Sequence, residues 1–232
     1  MSIIRRNVES FRTHGPGALL RAVVSGFTRN LSRLRDHAFD RRFGTETARV
    51  VENDALTDVS LPARAHGIRY EPTRAHPLRR ALKAAGIPTA GTFVDLGCGK
   101  GRVLMLAVEY GFARVTGVDY SASLCEIARR NLDVLRARTG RRFQATVAPI
   151  DAADYAFQRD DTVVFLFNPF DGAVLRRVLD NLNASLREHP RELHLIYHRP
   201  VWRAAVEESQ LFASAQDYRF GGCDFAVYRT TA

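Results

Sequence analysis

Apolar positions recur along this chain with two different periods, and the switch between them lays out the architecture. Leu20, Val23, Val24, Phe27, Leu31 and Leu34 fall at helical spacing, with Arg21, Arg29, Arg33 and Arg35 between them. That pattern predicts an amphipathic helix over residues 17–36. Residues 37–73 show no sustained period and contain Gly44, Pro62, Gly67 and Pro72, so they read as an irregular connector. A short helix is expected over 75–85, with Leu78 and Leu82 on one face and Pro77 in its first turn. From residue 92 the pattern becomes regular. Strands are expected at 92–96, 114–118, 143–147, 161–167 and 192–197. Between them helices are expected over 100–110 and 121–138, and then one carrying Val174, Leu175, Val178, Leu179, Leu182 and Leu186 that stops at Pro190. A short helix over 202–209 follows. Two last strand-like runs, 211–220 and 223–229, are joined by Gly221-Gly222, a two-residue hairpin signal.

Alternating strands and helices imply a parallel sheet with right-handed crossovers, and the closing hairpin adds an antiparallel strand near one edge. The expected fold is therefore α/β: a Rossmann-like, seven-stranded, mostly parallel sheet with helices on both faces and an N-terminal helical extension. The expected division is an extension over 1–73 and a catalytic domain over 74–232. A chain of 232 residues, 46% hydrophobic, is long enough to bury such a core. No apolar run approaches the ~20 residues of a membrane span, and arginines interrupt the N-terminal apolar stretches, so a cytoplasmic protein is expected. Cys98, Cys125 and Cys223 form no Cys-x-x-Cys pair, which argues against both a disulfide framework and a zinc site. His194 and His198 flank the strand-like run 195–197 and read as ordinary strand-end histidines. No metal is expected.

Candidate chemistry begins where the first strand ends, in Asp95-Leu96-Gly97-Cys98-Gly99-Lys100-Gly101. A turn this tight needs residues without a Cβ, and the next helix points its free N–H groups at whatever the turn holds. Dinucleotide folds space their glycines Gly-x-Gly-x-x-Gly. Here they stand at 97, 99 and 101, with an acid two residues before the first, the spacing of S-adenosylmethionine (SAM) sites. Asp119 at the end of the second strand suits the two hydroxyls of a ribose. Asp151, after the third, suits an exocyclic adenine amine. Asp95 places negative charge where SAM carries an ammonium group. For each acid alone, a helix N-cap is the competing role.

Phe93–Arg102 and Gly117-Val118-Asp119-Tyr120-Ser121 resemble the first two motifs of the class I SAM-dependent methyltransferases. Asp151-Ala152 resembles their adenine motif, and Phe167-Asn168-Pro169-Phe170 occupies the position of their acceptor motif. Tyr70-Glu71-Pro72-Thr73 is similar to the segment that precedes the first motif in a bacterial methyltransferase group and in the non-SET protein lysine methyltransferases, where it covers the cofactor. The resemblance implies cofactor contacts for Tyr70, Thr73, Asp95, Gly97, Cys98, Gly99, Gly101, Asp119, Tyr120, Asp151, Ala152 and Asn168. It implies acceptor-side roles for Asn168, Pro169 and Phe170. Asn168 would accept a hydrogen bond from an acceptor N–H, Pro169 would stiffen the turn, and Phe170 would wall the pocket. Tyr197, His198 and Arg199 after the fifth strand are further candidates, His198 as a base.

The expected activity is methyl transfer, with a protein lysine as the leading acceptor. The alternatives are RNA or DNA, a small molecule, or SAM binding without catalysis. The net charge of +9 favours an anionic partner, and residues 1–50 carry ten arginines against four acids. That makes the N-terminus the candidate nucleic-acid contact. Against this, 32 of the 34 basic residues are arginine, a bias that a GC-rich genome produces without selection for binding.

Overall fold

The computed structural model describes residues 36–231. The amphipathic helix expected over 17–36 and the basic N-terminal segment lie outside the described residues. The first described element is a helix over 36–43 (α1). It is followed by α2 (Leu61–His66), α3 (Ala75–Ala84), β1 (Thr92–Leu96), α4 (Arg102–Tyr110), β2 (Arg114–Asp119), α5 (Ala122–Thr139), β3 (Gln144–Pro149), β4 (Asp161–Leu166), α6 (Gly172–Glu188), β5 (His194–His198), α7 (Arg203–Glu208), β6 (Ser214–Phe220) and β7 (Cys223–Arg229).

The strands form one sheet in the order β3-β2-β1-β4-β5-β7-β6. β1 pairs in parallel with β2 and β4, and β7 runs antiparallel to both β5 and β6. Six strands therefore share a direction, and β7 alone is reversed. Right-handed crossovers place connections that lead left and right from β1 on opposite faces. α4 and α5 accordingly share one core with α3, and α6 and α7 share the other. The boundary between the two sets lies between β1 and β4, where a cleft opens at the carboxyl ends of the strands.

Local chemistry sets the ends of the helices. Ser121 Oγ accepts from Leu124 N–H at the start of α5, and Asp171 accepts from the N–H groups of Ala173 and Val174 at the start of α6. β1 is buried along its whole length, as its central position requires.

The expected irregular connector over 37–73 is corrected: it contains α1 and α2, and it is held closely to the domain. Phe39 and Phe43, one turn apart, are buried against the α3/α4 core. Two apolar residues are too few to register as a period. The Asp40 carboxylate accepts from the N–H groups of Thr47 and Ala48 and from the hydroxyls of Thr45 and Thr47. These bonds fold the chain back from α1. Two basic side chains of the glycine loop meet this segment. Arg102 is 1% exposed and bonds Asp36 and Thr47 Oγ1, and Lys100 Nζ lies 3.1 Å from Glu46.

Candidate functional site

The glycine loop joins β1 to α4. Gly97, Gly99 and Gly101 have φ of +80°, +50° and +80°, a region costly for any residue with a Cβ. Close approach adds to the requirement. A Cβ on Gly97 would lie 2.4 Å from Pro169 Cβ, and one on Gly99 would lie 2.1 Å from the Tyr70 ring. Gly99→Ala is therefore expected to cost about 1–3 kcal/mol, from left-handed strain and overpacking, and to weaken SAM binding as Tyr70 is displaced. Thermal melts with and without S-adenosylhomocysteine measure both effects. A variant with unchanged melting and an unchanged ligand-induced shift would contradict this role of the loop.

Two connected clefts lie over the loop. The larger, about 740 Å³ including its open mouth, is lined by Tyr70, Thr73, Asp95, Gly97, Cys98, Asp119, Tyr120, Asn168 and Pro169, with Arg69, Glu71, Phe167 and Arg199 at one end. The smaller, about 380 Å³, is lined by Gly67, Asp119, Tyr120, Asp151, Ala152, Pro169 and Phe170. Of the predicted site residues, Gly99, Gly101, Tyr197 and His198 line neither cleft; the two glycines act on the loop itself. They shape the loop from beneath Tyr70 and against Ala128.

Asp95 is 2% exposed and makes no side-chain hydrogen bond among the described residues. Burial, reinforced by the nearby Asp119, holds its carboxyl well above the usual carboxylate range. A buried, unpaired carboxylate lining a cleft is a receptor for a cation, and this is the observation by which the site fits the ammonium end of SAM. Asp119 differs. It accepts from Gly99 N–H at 2.8 Å and Ser121 N–H at 3.0 Å, yet burial still raises its carboxyl to about 6. Its bond to Gly99 ties the tip of β2 to the glycine loop, and its remaining lone pairs face both clefts. Asp151 caps a short 3-10 turn by accepting from Ala153 N–H while lining the smaller cleft, so the capping and cleft-lining roles coincide.

Residues 66–70 cross the clefts as a strap. Ile68 N–H donates to Pro169 O at 2.9 Å, Asp171 N–H donates to His66 O, and Gly67 sits on the Tyr120 hydroxyl. Tyr70 packs on Gly99 and donates from its hydroxyl to Thr47 O at 2.7 Å. The strap was not legible in the sequence beyond Tyr70 and Thr73, because its pairing with 168–171 is set by backbone rather than by side-chain type.

The acceptor-motif residues separate. Asn168 faces the larger cleft, but its Oδ1 accepts from the Tyr197 hydroxyl at 3.0 Å. The carbonyl expected to receive an acceptor N–H is therefore already bonded. Pro169 stands over Gly97. Phe170 walls the smaller cleft instead of the acceptor end, because the chain turns at Asn168, whose φ is +43°. His198 is stacked between Phe167 and Phe225, with ring centroids at 3.9 and 4.5 Å. Burial lowers its pKa to about 3, which makes it a poor base. No cluster of potential metal ligands occurs among the described residues, and no described helix is long and apolar enough to cross a membrane.

Residues 93–189 match the profile of a family described as a methyltransferase domain. The trans-aconitate 2-methyltransferase of Rhizobium etli is 29% identical over 155 residues, 60% of this chain and 57% of that protein. The enzyme of the same name from Paracidovorax citrulli is 42% identical over 65 residues, 28% of this chain and 25% of that protein. The aligned part thus spans less than two thirds of either relative. Among solved structures, a candidate O-methyltransferase from Nostoc punctiforme superposes with a TM-score of 0.54 at 15% identity, covering 67% of this chain and 56% of that one. At that identity the likeness speaks for the fold alone.

Proposed function

We propose that this chain, whose residues 93–189 match a methyltransferase domain, is a SAM-dependent enzyme that transfers a methyl group to a carboxylate oxygen of a small molecule. The observation that carries this reading is the acceptor end of the larger cleft. Arg69 and Arg199 line the cleft, Arg69 already 3.2 Å from Glu52, and the candidate bases other than Asp95 are engaged. Glu71 faces Arg199 at 3.6 Å, Asp119 is bonded by two amides, and His198 is sealed between rings. A lysine ammonium entering here would need a group to take its proton. A carboxylate needs no such group, because its oxygen already holds a free lone pair.

Bound in the cleft, SAM would supply a methyl group already activated on a sulfonium. The tasks left to the chain are alignment and exclusion of water. Asp95 would hold the ammonium end, Asp119 the ribose and Asp151 the adenine amine, with Tyr70 and the strap as the roof. The acceptor oxygen would take that methyl group as the carbon–sulfur bond breaks, with the electron pair of that bond left on sulfur. The products are a methyl ester and S-adenosylhomocysteine, and no proton moves. The two relatives are by name trans-aconitate 2-methyltransferases.

Protein lysine methylation, the leading expectation from the Tyr70–Thr73 resemblance, is the reading this one displaces. Radiolabelled SAM separates them. Incubation with trans-aconitate, other small carboxylates, amines and a protein extract is expected to give label in a small carboxylate, released as methanol by mild alkali. Alkali-stable label in protein would overturn the proposal and restore lysine. Nuclease-sensitive label would restore nucleic acid, and cofactor binding without any transfer would leave a binding module.

A further inference from the structure

We propose that Tyr197 is a positioning residue that fixes the Asn168 side chain as a hydrogen-bond donor toward an oxyanion acceptor. The inference rests on the carboxylate reading above and deepens it. Its basis is the direction of a short hydrogen-bond chain. Trp202 N–H donates to Tyr197 Oη at 3.3 Å, and Tyr197 O–H donates to Asn168 Oδ1 at 3.0 Å. The Tyr197 side chain is 1% exposed, so no water is at hand to take its proton. Were the Asn168 amide reversed, Tyr197 Oη would face two donors and its own O–H would have no acceptor, a costly arrangement in a buried site. The amide is therefore held one way round. Its Nδ2 has no partner among the described residues, is not sealed from solvent, and belongs to a side chain that lines the larger cleft. What Asn168 offers to an acceptor is N–H.

Backbone geometry agrees. Among the described residues, the only non-glycine positions with positive φ are Asn168, Arg199 and Gln210. The first two follow the adjacent strands β4 and β5 and both line the larger cleft. Strain of this kind persists where the surroundings hold it, and such positions cluster at functional sites. Arg199 is held by its N–H to Asp224 O and by Val201 N–H to its own carbonyl. An amide donor and a guanidinium, the latter 3.6 Å from Glu71, thus line the same cleft. An amine acceptor would need the opposite polarity from Asn168.

The test compares wild type with Tyr197→Phe and Asn168→Asp, using trans-aconitate and, in parallel, the fastest-labelled small carboxylate at saturating SAM. Tyr197→Phe frees the amide to rotate and is expected to lower kcat about tenfold or more. The KM for SAM should stay within twofold, a split that general loosening of the fold would not give. Asn168→Asp keeps the bond from Tyr197 but replaces the donor with an anion, and is expected to lower kcat about a hundredfold or more. S-adenosylhomocysteine binding by calorimetry should persist in both, which excludes misfolding as the cause. If wild type esterifies carboxylates but either variant matches it, the positioning role is wrong while the carboxylate reading stands. If wild type methylates amines instead, both fall.

Discussion

Replacing Arg102 with alanine is expected to cost about 3–5 kcal/mol of stability, the range for removing one partner from a buried ion pair. At about 2–4 °C per kcal/mol for a chain of this size, melting should fall by about 6–20 °C. Arg102 is 1% exposed, donates to Asp36 and to Thr47 Oγ1, and lies 3.6 Å from Asp40. Its guanidinium also covers the Phe39 ring at 4.8 Å. Burial already pushes the Asp36 carboxyl upward despite the arginine beside it, so removing the cation leaves acids with no compensation. Arg102→Met, which keeps an apolar stem against Phe39, should recover part of the loss. The consequence reaches the site, because Thr47 O accepts the Tyr70 hydroxyl and Tyr70 roofs Gly99. Cofactor affinity should fall with stability. A melting temperature within 2 °C of wild type would show that residues 36–48 do not brace the domain.

Asp95→Asn is expected to do the reverse to stability while abolishing most of the binding. Loss of a charge-assisted contact to the ammonium of SAM should cost about 1.5–3 kcal/mol, or about 10–150-fold in affinity. Yet the unliganded protein should melt higher, because an unpaired buried carboxylate is a cost that asparagine lacks. The sign follows from linkage. Burial raises the folded pKa of Asp95 above its ordinary, unfolded value, so its contribution to stability is fully present below the unfolded pKa and is lost as pH rises through the folded one. The advantage of Asn over Asp should therefore grow with pH across that window. Binding of SAM should draw the Asp95 pKa back toward the ordinary carboxylate range, so proton release on binding should be larger in wild type than in the variant. Calorimetry in buffers of different ionisation enthalpy measures that proton directly. A variant that binds SAM as wild type does, with the same proton count, would remove Asp95 from the cofactor site.

Much of this was written in the linear pattern. Strands β1, β2 and β4 fell within two residues of their expected bounds, because buried parallel strands must be continuous apolar runs between turn residues. The glycine spacing at 97–101 located the cleft, since only residues without a Cβ fit against Tyr70 and Pro169. Asp95, Asp119 and Asp151 were legible because each ends a β–α unit at the same edge of the sheet. α1 was not, since two phenylalanines in a single turn make no period. Nor was the burial of Lys100 and Arg102, whose partners Glu46, Thr47 and Asp36 stand 54 to 66 residues upstream.

Sequence by itself determined the fold class, the place of the glycine loop and the carboxylates at the neighbouring strand ends, because these depend on spacing along single β–α units. Tertiary structure alone decided which way Asn168 presents its amide, that His198 is sealed between two rings, and that the segment before the first strand braces and roofs the cleft. Each of those depends on groups brought together from distant stretches of chain, where hydrogen-bond direction and burial are properties of the packed neighbourhood and not of the residue type.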